Sequence, residues 1–149
     1  MKLSSTAGMQ GIGWAQETFV GKSGEASATI SKGHIVQCTL ASLEPDDDQE
    51  VKLATGDGFG IYGVALEEIK AGKRGLICLS GKVEVMGGAA VTGGVRIMPE
   101  SGGEAIAHVG TADDNVCCGI AVDTLANATL GTVLFDGWQI ITVQDQTPD

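Results

Sequence analysis

From residue 28 onward, short apolar runs alternate with turn residues along most of the chain. Alternation over four to eight positions is typical of half-buried β-strands, and no window carries the i, i+3, i+4, i+7 spacing of an amphipathic helix. The pattern predicts strands at 35–40, 51–54, 61–66, 75–79, 82–86, 89–91, 95–98, 105–109, 117–122, 132–135 and 138–143, with at most one helical turn near 66–69. We therefore expect an all-β protein, folded as a compact β-barrel or sandwich.

The apolar segments repeat once within the chain. Gly63-Val64-Ala65 aligns with Gly119-Ile120-Ala121, and Gly81 aligns with Gly137, at a constant offset of 56 residues. Upstream, the turn at Gly33 parallels the turn at Gly93. Each half is expected to end in a hairpin closed by Ser-Gly or Asp-Gly, at 80–81 and 136–137. We expect two similar β units, at about 30–86 and 90–143, that share one core.

Residues 1–28 show neither the two-residue alternation of a strand nor the spacing of an amphipathic helix. Glycines at positions 11 and 13 make this stretch a poor helix and a weak strand. We predict an extended N-terminal arm over 1–28, a β-barrel domain over 29–143 and a flexible tail over 144–149. Large apolar side chains on such an arm are candidates for contact with another protein, since Trp, Phe and Met are enriched at interfaces. The arm carries four of them: Met9, Ile12, Trp14 and Phe19.

The charge balance argues against two classes of partner. With 9 basic and 19 acidic residues, the net charge of −10 would be repelled by phosphate backbones and anionic lipids. No apolar stretch reaches the length of a membrane span, and the N-terminus lacks the apolar core of a signal peptide. We expect no nucleic-acid and no membrane partner. The basic run 70–74, with Lys82 nearby, is either solvated or paired with the acidic surface of an adjacent copy.

Side chains that could carry chemistry do not group into motifs. The four cysteines lack metal-ligand spacing and fall in apolar runs, which indicates buried thiols in a reducing cytosol: Cys38, Cys78, Cys117 and Cys118. His34 and His108 have no paired nucleophile, and the acidic 44–50 loop lacks the glycine and distal glutamate of a calcium loop. We predict no catalytic residue, no metal and no cofactor.

Five segments share a strand-and-turn rhythm found in one known family: ISKGHIV at 30–36, YGVALE at 62–67, GKVEV at 81–85, VTGGVR at 91–96 and CGIAV at 118–122. In this rhythm the chain resembles the capsid decoration proteins of tailed bacteriophages, also called head-stabilising or cement proteins. The resemblance covers about residues 29–143. The longer glycine-rich arm and the acidic 44–50 loop depart from it.

The resemblance implies a structural virion protein that binds the outer surface of a phage capsid and stabilises the head. It further implies a homotrimer, the major capsid protein as partner, synthesis in the host cytoplasm, and a terminal arm that reaches onto the shell. The arm residues Met9, Ile12, Trp14 and Phe19 are then capsid-interaction candidates.

Two other functions fit the sequence less well. A small β-barrel enzyme would need a convergent polar cluster, which two isolated histidines do not provide. A carbohydrate-binding or fibre-attachment module of a phage particle would present several exposed aromatic side chains, and the chain has six aromatic residues in all.

Overall fold

The computed structural model describes residues 15–24, 29–38, 49–55, 61–108 and 117–137. Within these ranges the chain forms strands and turns without a helix, so none is long and apolar enough to cross a bilayer. The strands are β1 Glu17–Ser23, β2 Ile35–Cys38, β3 Gln49–Leu53, β4 Tyr62–Ala65, β5 Arg74–Met86, β6 Arg96–Pro99, β7 Ala105–Ala107, β8 Gly119–Ala121 and β9 Leu130–Asp136. The expected all-β fold class is confirmed.

Five strands of the first half close into a barrel, in the order β1-β3-β2-β4-β5 with β5 paired back to β1. β1 runs parallel to β3 and antiparallel to β5. The barrel interior is a cluster of buried apolar side chains: Ile30, Val36, Cys38, Val51, Ala65, Ile69 and Ile77. Full burial of each large aliphatic side chain contributes about 1.5–3 kcal/mol, so this small interior holds the first barrel together.

The second half repeats the arrangement on the C-terminal part of β5. That part pairs with β9, and the sheet continues through β8 and β6 to β7. A parallel bridge between Gly87 and Ala105 brings the end of β5 to β7. In the first half, the counterpart of this bridge is the parallel pairing of β1 with β3, in which Ser23 lies opposite Val51. β5 is therefore the last strand of the first barrel and the first strand of the second unit.

Pairing registers recur between the halves. Three pairs of the first half have a counterpart in the second half. The pair Ile35–Val64 corresponds to Arg96–Ile120, the pair Val64–Cys78 to Ile120–Leu134, and the bridge Ile30–Ile69 to the bridge Val91–Leu125. In the turns, Gly33 at φ 87° corresponds to Gly94 at φ 89°. Their N–H groups donate to the equivalent carbonyls of Ala65 and Ala121. The sequence alignment had placed Gly33 over Gly93, which is one position too early.

The hairpin expected at 80–81 does not form. Ser80 and Gly81 lie inside β5, a single strand of 13 residues where the sequence predicted two. The strand changes partners instead of reversing, because Ser80 pairs with Glu17 of β1 on one side and Asp136 of β9 on the other. Gly81 adopts φ 116°, a conformation open to glycine, and the register of β1 shifts at Glu17. A Ser-Gly dipeptide is compatible with a β-bulge within a strand and equally with a turn between two strands.

Part of the predicted arm is a strand of the barrel. Glu17–Ser23 forms β1, whose alternating buried positions end at Gly21 and Ser23. The glycine is required there, because a Cβ on Gly21 would lie 2.9 Å from Ile77 Cγ1. Residues 1–14 and 25–28 lie outside the described residues, as do the 144–149 tail and most of the acidic loop. The strand expected at 89–91 is reduced to a bridge at Val91.

Candidate functional site

Among the four arm residues expected to contact another protein, only Phe19 lies within the described residues. Phe19 sits in β1 and packs, half-buried, against the interior cluster of the first barrel. Its Cε1 atom lies 3.6 Å from the position of a Cβ on Gly63. Phe19 thus seals the barrel interior. Met9, Ile12 and Trp14 lie outside the described residues.

The N-terminal segment joins the barrel at the midpoint of β5. The Ala15 carbonyl oxygen lies 2.5 Å from the position of a Cβ on Gly81, and the Gln16 Nε2 donates to the Lys82 carbonyl at 2.8 Å. The Ser80 hydroxyl donates to Glu17 Oε1 at 2.7 Å. These contacts fix the positions of Ala15, Gln16 and Glu17 against β5.

An open cavity of about 290 Å³ adjoins that point. It lies on the outer face of the second unit and is lined by Gly81, Arg96, Cys117, Gly119, Ile120, Leu134, Phe135 and Asp136. Ile120 is 41% exposed. The cavity combines an apolar wall with one cation and one carboxylate, a lining suited to an amphipathic side chain. No local sequence signal marked these residues, because strands distant in sequence bring them together.

Basic side chains gather at one corner of the first barrel. Lys70, Lys73 and Arg74 lie in and after the turn before β5, and β1 adds Lys22, which is paired in register with Arg74. All four are exposed. On a chain of net charge −10, this basic corner carries a local charge opposite to that of the whole chain. The sequence showed the 70–74 run, and the sheet adds Lys22.

Burial disfavours the thiolate form of three cysteines: Cys38, Cys78 and Cys118. Burial raises the pKa of the Cys38 and Cys78 thiols to about 11, and it raises the pKa of Cys118 well above its ordinary value. His34 holds its Nδ1 3.0 Å from the Gly102 carbonyl, so it ties the two halves together. Within the described ranges, no three His, Cys, Asp or Glu side chains group as a metal site.

Comparison with known proteins identifies the family. The phage cement protein family matches residues 26–136, which span both halves of the fold. No curated protein matches the chain. Among solved structures, the N base of head fiber gp8.5 of bacteriophage phi29 is similar, with a TM-score of 0.60 and 15% identity over 84% of this chain and 98% of that one.

The structural match shows a shared fold, while the family match extends over most of the chain. The family match supports capsid association, and the fibre-attachment alternative is not favoured over it. The resemblance inferred from the strand rhythm is confirmed. The protein belongs to the phage cement protein family, and it is a structural, capsid-associated protein of the virion.

Proposed function

We propose that this protein stabilises the phage head by binding the major capsid protein on the outer surface of the shell, without catalysing a reaction. The observation that carries the proposal is the family match across both halves of the fold. The tightly packed interiors support it, because a rigid module can add contacts to a shell at little cost in conformational entropy. Many symmetry-related copies then act together, so modest single affinities give a large total.

The arm supplies the grip in this proposal. Residues 1–14 carry Met9, Ile12 and Trp14, and the residue that follows them, Ala15, lies beside Gly81. Phe19 packs against the barrel interior, and in this proposal it holds β1 in the barrel instead of contacting the shell. Because β1 is paired within the barrel, a force on the arm would be transmitted through β1 into the sheet.

We also propose a homotrimer, assembled in the host cytoplasm before or during shell binding. The basic corner of Lys22, Lys70, Lys73 and Arg74 supports contact between copies, since each copy is strongly acidic overall. Opposite charges steer such an encounter and fix its register. Light scattering coupled to gel filtration should give three times the chain mass, and Lys73→Glu should shift the protein toward smaller species.

The decisive experiment mixes the purified protein with undecorated shells. We expect co-sedimentation and a higher temperature of shell disruption. Deleting residues 1–14 should abolish both while leaving the circular dichroism spectrum unchanged, because the deletion stops before β1. Phe19→Ala is the matched control, since it should lower the stability of the barrel and leave shell binding intact at low temperature. Wild-type protein that does not sediment with shells contradicts the proposal.

A further inference from the structure

Two equivalent outward faces of the repeat differ in their chemistry. The end of β1 in the first half corresponds to the end of β5 in the second half, because each enters the same parallel pairing. Val20 therefore occupies the position of Glu84, and Lys22 occupies the position of Met86. Residues two apart in a strand lie on the same side of the sheet, so Val20 and Lys22 share one face and Glu84 and Met86 share the other.

The face on the first barrel has an apolar row followed by a basic row. Val20 lies opposite Leu76 in the pairing of β1 with β5, and these side chains are 49% and 38% exposed. The next pair on this side of the sheet is Lys22 with Arg74, and Lys73 is exposed beside it. We call Val20, Lys22, Lys73 and Leu76 the basic face.

The face on the second unit has an acidic row followed by an apolar row. Glu84 is exposed and lies opposite Thr132, whereas the next pair joins the half-buried Met86 to Leu130, which is 36% exposed. The N–H of Asp123 donates to the Thr132 carbonyl at 3.3 Å, so Asp123 adds a second exposed carboxylate beside this row. We call Glu84, Met86, Asp123 and Leu130 the acidic face.

The surroundings keep the opposite signs of the two faces. Glu50 and Glu67 border the basic face, where the four cations of the basic corner outnumber them. Lys82 borders the acidic face, two residues before Glu84, and it is outnumbered there by Glu84 and Asp123. Opposite potentials on two partly apolar surfaces are the complementarity that steers two proteins together and fixes their register.

We propose that the basic face of one copy binds the acidic face of the next copy. Val20 and Leu76 pack on Leu130 of the neighbour. Lys22 then lies against Glu84, because the apolar and charged rows follow each other in opposite order on the two faces. A contact between two different surfaces closes into a ring or continues as a chain, and a ring of three copies gives a homotrimer. The inference rests on the proposed function for the number of copies, and it adds which two surfaces meet.

Paired charge reversals test this contact, with the mass of the full-length chain measured by light scattering coupled to gel filtration. Lys22→Glu with Lys73→Glu makes both faces acidic, and Glu84→Lys with Asp123→Lys makes both faces basic. We expect each of these two proteins to run as single chains at concentrations at which the parent has three times the chain mass. The protein with all four changes has complementary faces again and the parent's net charge of −10, so it should recover the parent's mass.

The matched control is Lys52→Glu, which reverses the charge of an exposed lysine on β3 outside both faces and should leave the mass unchanged. Should a charge-reversed protein fail to fold, as judged by circular dichroism, neutral substitutions replace the reversals. Lys22→Gln with Lys73→Gln, and Glu84→Gln with Asp123→Asn, should each raise the dissociation constant of the oligomer several-fold. An unchanged constant refutes the contact.

Three results of the mass measurement overturn the inference. They are a parent protein that runs as single chains, a paired reversal that keeps the parent's mass, and a protein with all four changes that stays dissociated. Reversals that weaken shell binding without changing the mass would assign the two faces to the shell, which also refutes the contact between copies. Co-sedimentation with shells is measured separately, so a protein that binds shells as single chains refutes this inference and leaves capsid binding standing.

Discussion

At the residue scale, two equivalent turns differ in the residue that adopts a left-handed backbone. The turn before β5 has Gly72 at φ 75°, and the turn before β9 has Ala128 at φ 58°. Both N–H groups donate to equivalent carbonyls, those of Ser23 and Gly87, at 3.1 and 2.8 Å. An alanine in this region carries a strain of roughly 1–2 kcal/mol, which a glycine avoids. The turn of the second half is therefore strained at Ala128, whereas the equivalent turn of the first half is not strained at Gly72.

This difference predicts opposite effects of two substitutions. Ala128→Gly relieves the strain but adds about 0.4–1 kcal/mol of unfolded-state entropy, so a net stabilisation of about 0–1.6 kcal/mol is expected. Gly72→Ala should destabilise by about 1 kcal/mol or more. Urea unfolding of both variants gives the free energies. A less stable Ala128→Gly protein would show that the turn is not strained.

The buried thiols predict a loss of stability in alkaline solution. The pKa of Cys38 and Cys78 rises from 9.0 to about 11 on folding because burial disfavours the thiolate. Between these pH values the unfolded chain loses protons that the folded chain keeps, so the free energy of unfolding falls as pH rises. The stabilisation is fully present below pH 9. Urea midpoints from neutral pH to about pH 11 measure the fall, and Cys38→Ala with Cys78→Ala should make it shallower.

At the scale of elements, β5 organises the molecule. The sequence pattern predicted the strand-rich fold because alternation is a local property of each strand. It did not predict the continuity of β5, since Ser80-Gly81 is as compatible with a hairpin as with a change of partner, and distant strands decide between them. It also missed β1, where Gly21 and Ser23 replace the large side chains that mark a strand. A larger side chain at position 21 would clash with Ile77 and Val51, which occupy the space next to Gly21.

The open cavity was beyond sequence reasoning for a related reason. Arg96, Ile120 and Leu134 lie on three strands, and only the register of β6, β8 and β9 aligns them. The apolar segments that contain Ile120 and Leu134 were expected as strands, yet alternation alone does not reveal which outward face the rest of the chain covers. In the first barrel the matching residues are buried by the second unit.

Glycine at the middle of β5 gives a prediction for this element. Gly81 and Gly94 both adopt positive φ, but a Cβ on Gly81 would meet the Ala15 carbonyl oxygen at 2.5 Å, whereas a Cβ on Gly94 has no neighbour within 4 Å. Gly94→Ala should cost about 1–2 kcal/mol through backbone strain alone. Gly81→Ala should cost clearly more, because it also displaces β1. Thermal unfolding of the pair measures the difference, and equal costs would mean that Ala15 does not pack there.

At the scale of the whole molecule, the two units should unfold together. They share β5, and one apolar cluster includes Tyr62 and Val64 from the first half and Val133 and Phe135 from the second. A domain with a common core and a common strand has no internal boundary at which unfolding can stop.

We therefore expect a single cooperative transition. Ile77→Ala in the first barrel should cost about 2–5 kcal/mol, and Val133→Ala in the second unit should cost somewhat less; each should move the whole transition. Circular dichroism and tryptophan fluorescence should give coincident urea curves for both variants. Separate midpoints for the two probes would show that the halves are independent.

The antiparallel course of β1 along β5 has a mechanical consequence. A pull on the chain at Ala15 acts along the axis of β1, whose residues 17–22 are paired with β5 over their full length. Tension then acts on all the hydrogen bonds between β1 and β5 at the same time, instead of breaking them one after another. Under the proposed function, β1 would carry a sustained load from the shell without the barrel being pulled open.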